Sequence, residues 1–257
     1  MKPPPVIILS PLQRSGTTLI QRLLCSASNA LIYGDTVGQE VEFFAKYALA
    51  RGQMLNFQQS QIAPVRQAVL RGDVSDFITP LAPTMETYLA GFQAATGAWL
   101  EGCRREAVEA DRPIWGWKLA GADATALPIL AEWFPQARWI WIERDITDCL
   151  RSAKAAAMFG SAQEAGMMAR QAEYSRQVFS SLRLEHLLSL DFTTMVADPT
   201  GTISRLEKFT GAQRMDLAVF NRRVNDLGNP NWVPPVELSE EETATINLHL
   251  PAASCLN

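Results

Sequence analysis

The sequence predicts an α/β fold: a mostly parallel sheet of the phosphate-loop type, flanked by helices, with a helical insertion over its cleft. Three observations carry that expectation. Short apolar runs of strand length recur along the chain, stretches of helical spacing separate them, and the first run ends in "SPLQRSGTTLIQRLL", where a glycine among hydroxyl residues opens a helix. Strands alternating with helices imply a parallel sheet covered on both faces.

The strand runs are "PVIILS" (5–10), "NALIYG" (29–34), "PIWGWKL" (113–119), "ARWIWIE" (137–143) and "EHLLSLDF" (185–192). Each is rich in β-branched or aromatic residues, and several are almost continuously apolar, as strands buried on both faces are. Helices are expected over 17–27, 124–133, 147–158, 162–183, 200–209 and 239–248. The block 38–110 reads as several helices with breaks near Gly52, Pro64, Gly72 and Pro80 to Pro83. It is too long for a simple crossover and is expected to form a lobe that walls the cleft. The whole chain, 1–257, is read as one domain, with no internal repeat.

Composition narrows the partner. An apolar fraction of 47% with 19% charged residues is that of a globular protein, and a net charge of −4 argues against nucleic acid or an anionic membrane surface. A small-molecule partner is expected. Cys25, Cys103, Cys149 and Cys255 are scattered without a C-x-x-C pair, so neither a zinc site nor a disulfide framework is suggested. No stretch reads as a membrane span or a secretory signal, which leads to the expectation of a cytoplasmic protein.

The first loop is built for an oxyanion. Gly16 allows a tight turn, Thr17 and Thr18 supply hydroxyls at a helix N-terminus whose N–H groups favour an anion, and Arg14 and Ser15 add a charge and a further donor. An ATP-type loop places a lysine after its last glycine, and this chain has no lysine between Lys2 and Lys46. The plain alternative is an ordinary turn and helix cap.

At "LQRSGTTLIQRLL" the chain resembles sulfotransferases that use 3′-phosphoadenosine-5′-phosphosulfate (PAPS), in the branch whose loop reads P-R-S-G-T-T, which includes tyrosylprotein and bacterial enzymes. Gln13 stands where that branch has proline. The resemblance implies that Arg14, Ser15, Gly16, Thr17 and Thr18 surround the 5′-phosphate and sulfuryl group. The segment "FPQARWIWIERDITDCLRSAKA" (134–155) is similar to the family's 3′-phosphate motif at Phe134, Pro135, Ala137, Arg138, Arg144, Asp145, Asp148 and Ser152. Arg144 offers a fork of donors there and Ser152 a hydroxyl, with Asp145 and Asp148 as caps and supports. Further on, "LLSLDFTTMVADPTGTISRLEKFTGA" (187–212) puts Phe192 at the family's tyrosine, a ring for adenine or a core residue, while Thr193 and Thr194 replace an acidic pair. Arg222 and Arg223 are read either as reaching the 3′-phosphate or as a solvated pair.

Sulfuryl transfer needs cations at the leaving oxygen and a base at the acceptor. Arg14 is one cation, and Lys118 in "WGWKLAG" is the other, at a strand end where the resemblance also implies a lysine. His186 and His249 lie far from these segments, so a carboxylate is expected as base: Asp35, directly after the second strand, or else Glu40 on the next helix. Asp35 as a helix cap is the competing reading. No metal is required by this chemistry. Two other functions stay open on sequence: an ATP-dependent kinase-like phosphotransferase on the same fold, and a non-catalytic nucleotide-binding protein.

Overall fold

The structure, a computed structural model, describes residues 3–221 and 235–250. Strand β1 (Val6–Ser10) is buried along its whole length. It forms the centre of an all-parallel sheet ordered β2-β3-β1-β4-β5. The other strands are β2 (Ala30–Tyr33), β3 (Ile114–Ala120), β4 (Arg138–Glu143) and β5 (Leu187–Asp191). Four fall inside the expected apolar runs, and β3 extends one residue past its run, to Ala120.

Alternation along the strands builds two cores. Ile7, Leu9, Trp117, Leu119, Trp139 and Trp141 point to one face, and Val6, Ile8, Ile140, Ile142 and Leu190 to the other. The first face is covered by helices α2 (Asp35–Phe57), α4 (Met85–Glu109), α5 (Leu127–Trp133) and α7 (Ala162–Ser181). There Phe179 of α7 stacks on Trp141 with ring centroids 3.9 Å apart. The second face carries α1 (Thr17–Ser26), α8 (Phe192–Ala197) and α9 (Pro199–Thr210). A third cluster joins α6 (Ile146–Ala155), α7 and α10 (Glu240–Asn247).

The lobe departs from its expected breaks. Helix α2 begins at Asp35 and runs through Gly52, which is buried under Leu89 of α4, and α3 (Gln59–Leu70) contains Pro64 in its interior. Tertiary packing against α4 holds the helix where a lone glycine would weaken it. The stretch 71–84 does interrupt the helices, as Gly72 and the prolines suggest. The last strand also ends earlier than expected. Asp191 caps α8, its Oδ1 accepting from the Thr194 N–H at 2.8 Å and the Thr194 hydroxyl at 2.9 Å, so Phe192 is the first residue of a helix.

Gly38 fixes where α2 crosses the sheet. A Cβ there would run into the Lys118 carbonyl oxygen, so only glycine lets the first turns of α2 lie on the end of β3. That contact brings Asp35 beside Lys118.

Candidate active site

In a parallel sheet the carboxyl ends of neighbouring strands open onto one crevice where the strand order reverses. Here β1 continues into the Arg14–Gly16 loop, β2 into Asp35, β3 ends on Lys118–Ala120 and β4 runs into Arg144. All four ends line one cavity of about 680 Å³.

The first loop is held from beneath. The Leu12 carbonyl accepts from the hydroxyls of Ser10 at 2.8 Å and Ser15 at 2.5 Å. Ser15 is therefore turned inward and buried, which corrects the expectation that its hydroxyl serves the anion: its proton is already committed to the loop's own backbone. Two successive turns of the chain require left-handed backbone, at Arg14 (φ 71°) and Gly16 (φ 100°). For a residue with a side chain that conformation costs about 1–2 kcal/mol, a strain typical of ligand loops. Gly16 precedes α1 with no side chain accepting from the helix's first amides. Those amides, with Thr17 and Thr18, form a positively polarised end facing the cavity.

The β4 end adds the second arginine. Asp145 caps α6 by accepting from the Asp148 N–H at 2.9 Å, as expected of it. The Arg144 Nη1 donates to the Arg14 carbonyl at 2.8 Å, and its guanidinium lies 4.4 Å over the Phe192 ring. Arg14 Nε in turn donates to the Ser152 hydroxyl at 3.0 Å. Ser152 thus pairs with the first arginine, where sequence matching had grouped it with Arg144. The Phe192 ring also packs on Gly16, where an added Cβ would lie 2.5 Å from the ring. Both arginines, Ser152 and Phe192 consequently form one continuous wall. Beneath it Cys149 Sγ lies 3.4 Å from Ser15 Oγ, and burial pushes its thiol up to about 11.

Across the cavity Lys118 Nζ donates to Asp35 Oδ2, while Asp35 Oδ1 accepts from the Ala120 N–H at 3.1 Å. The lysine side chain is 7% exposed and the carboxylate 38%, so the buried cation has its partner on the open side. Below, Glu42 Oε1 accepts from the Asp123 N–H at 2.6 Å and Lys46 pairs with the Asp123 carboxylate at 2.6 Å. These two contacts tie α2 to the loop after β3. Burial holds the Glu42 carboxyl above the ordinary range, against the Asp123 N–H bond that lowers it.

Of the residues singled out by sequence, Arg14, Gly16, Thr17, Thr18, Asp35, Lys118, Arg144, Ser152 and Phe192 all line the cavity. Glu40 does not; it lies exposed on α2, away from the lining residues. Arg223 lies outside the described residues, and neither His186 nor His249 lines the cavity. Gln13, Leu19, Ala120 and Pro199 also line it, and Gln39, Met158, Val196, Phe220 and Asn221 do so without having been anticipated. Gln39 alone had a legible signal, standing one helical turn after Asp35. Among the described residues no group of three or more His, Cys, Asp or Glu side chains is arranged to hold a metal, and no helix is long and apolar enough to cross a membrane.

Fold and site together define an α/β protein with a cleft lined by Arg14, Lys118 and Arg144 at its strand ends. A family model described as "Sulfotransferase family" matches residues 4–216, and the chain belongs to the sulfotransferase family. Its activity is sulfuryl transfer. No sequence among the curated proteins matches it. Among solved structures it is similar to the sulfotransferase domain from the Synechococcus PCC 7002 olefin synthase, at 15% identity, covering 96% of this chain and 95% of that chain with a TM-score of 0.51. Two further similar structures are the sulfotransferase domain from the curacin biosynthetic pathway (12% identity, 96% and 98% covered, TM-score 0.46) and sulfotransferase STF1 from Mycobacterium tuberculosis H37Rv (15%, 96% and 72%, 0.42). The first of these likenesses bears on the fold.

Proposed function

We propose that the enzyme takes the sulfuryl group from PAPS and passes it to a hydroxyl or amine of a small-molecule acceptor, leaving 3′-phosphoadenosine 5′-phosphate (PAP). The observation that carries this reading is the charge of the cavity: among the described residues Arg14, Lys118 and Arg144 line it against the one carboxylate of Asp35, in a chain whose net charge is −4. The donor suits that wall because it carries anions at both ends of one nucleotide, and the wall presents two arginines and an open helix N-terminus. The donor supplies an activated sulfuryl group; the chain's own residues do the rest.

Arg14, Gly16, Thr17 and Thr18 are assigned to the 5′-phosphosulfate, Arg144 to the 3′-phosphate, and Phe192 to holding the loop and the second arginine in place. Ser152 steers Arg14. Lys118 is assigned to the bridging oxygen, where negative charge grows as the S–O bond breaks, and fixed cations there lower the barrier. Asp35 takes the proton from the acceptor as its oxygen or nitrogen bonds to sulfur. Its resting pair with Lys118 gives this an order: a donor anion competing for the lysine releases Oδ2 for the acceptor. Donor binding thereby prepares the base.

Thermal unfolding with PAP, compared with ATP and magnesium, tests the proposal. PAP at a hundred times its Kd should add about 2.7 kcal/mol of stability, and PAPS should support transfer to simple alcohols or phenols. Equal stabilisation by both nucleotides, with turnover of ATP, overturns it in favour of a kinase-like enzyme. PAP binding without transfer to any acceptor favours a non-catalytic binder.

A further inference from the structure

We infer that the acceptor carries an apolar tail, and that an aromatic ridge on α2, led by Phe43 and Tyr47, receives it. The inference rests on the reading of Asp35 as the acceptor base. It starts at that end of the cavity, where Asp35 and Gln39 line the wall on successive turns of α2. Residues four apart on a helix are surface neighbours, so Gln39 is followed by Phe43 and then Tyr47 along one stripe. From Gln39 to Tyr47 the stripe runs about 12 Å at the α-helical rise.

Both rings are held out to solvent, Phe43 at 61% and Tyr47 at 41% exposure, yet they are ordered against each other, with centroids 6.4 Å apart and planes 17° from parallel. Tyr47 meets Phe92 of α4 edge-on at 5.1 Å, and Phe92 tilts against Tyr88 at 5.0 Å. Exposed aromatics on a monomer's surface, when contiguous, mark a place where something apolar sits. The charges beside the ridge choose the chemistry of that occupant. Lys46 is engaged by Asp123 and Arg51 lies over the Tyr88 ring, 5.9 Å from its centroid, so an alkyl or aryl chain finds complementary surface there and an anionic tail does not. Continuity with the cavity wall selects the acceptor itself as the occupant: a molecule whose hydroxyl reaches Asp35 leaves past Gln39 and meets Phe43 next.

The test is a series of straight-chain primary alcohols from ethanol to decanol, below their solubility limits, with PAPS as donor. KM is expected to fall with chain length in the parent enzyme, by about tenfold from the apolar area buried on two rings. Phe43→Ser, at an exposed position that does not threaten folding, and Phe43→Ser with Tyr47→Ser should collapse the long-to-short KM ratio toward one, while Phe43→Leu should keep most of it. Calorimetric titration of a short and a long alcohol, butanol and decanol, into the PAP complex reads the corresponding affinity ratio without turnover. A parent KM that ignores chain length overturns the inference, as does a ratio that survives both variants. So does a loss confined to sedimentation behaviour, which would assign the ridge to a second copy of the chain. Failure of PAP to bind would instead remove the donor reading, and decanol binding would then judge the ridge by itself.

Discussion

Replacing Gly16 by alanine perturbs the first loop at its tightest point. Two costs add. The backbone at φ 100° is disfavoured for any residue with a Cβ, by about 1–2 kcal/mol. The new methyl would lie 2.5 Å from one ring carbon of Phe192 and 2.8 Å from the next, an overpacking that typically costs about 1–3 kcal/mol. Phe192 cannot swing away freely, because the Arg144 guanidinium sits 4.4 Å over its ring. The expected loss is therefore roughly 2–5 kcal/mol, a large share of an ordinary domain's stability. Urea unfolding should show a lower midpoint at unchanged slope. PAP affinity should fall as well, because the loop amides and Arg144 move together. In a Phe192→Ala background Gly16→Ala should cost less than in the parent, since the clash is gone and only the backbone cost remains. A Gly16→Ala enzyme whose urea midpoint and PAP affinity match the parent to within ~0.5 kcal/mol refutes the account of this loop.

Lys118→Met is expected to lower kcat by about 10²–10³, with PAP still bound, and an unchanged kcat removes the lysine from the leaving-group end. Asp35→Asn should lower kcat by about 10²–10⁴ without weakening PAP, because it frees Lys118; loss of PAP binding with retained kcat would assign Asp35 a purely structural role. Burial holds folded Glu42 above the ordinary carboxylate range, so the folded protein binds more protons there than the unfolded chain, and stability falls as pH rises through that window. Glu42→Gln keeps an oxygen for the Asp123 N–H and should flatten that part of the curve of Tm against pH; an identical slope counts against it. Cys149, buried and with its thiol raised to about 11, should resist alkylation at pH 8 until the protein unfolds, as peptide mass mapping will show.

The chain's linear order determined a great deal. All five strands, their parallel pairing and the two strand-end loops were legible because each depends on local pattern: apolar runs of strand length, glycine and hydroxyls at a helix start, an arginine closing a buried strand. The nine lining residues named in advance lie on the strand ends or in the loops and first helical turns that follow them, which topology brings to one crevice. Other features belong to no single segment. Ser15 faces inward because Leu12's carbonyl claims its hydroxyl, Ser152 serves Arg14 because α6 passes beside the first loop, and Phe192 props Gly16 because Asp191 ends the last strand one residue early. Gly52 and Pro64 failed to break their helices because packing on α4 and the helix ladder outweigh one weak position. The pairing of Lys118 with Asp35, 83 residues apart, rests on a bare glycine letting α2 settle on β3. Local propensity is written along the backbone, residue by residue; which side chain meets which is decided only when distant elements pack, since contact energies are gained at close range in space and sequence separation carries no record of them.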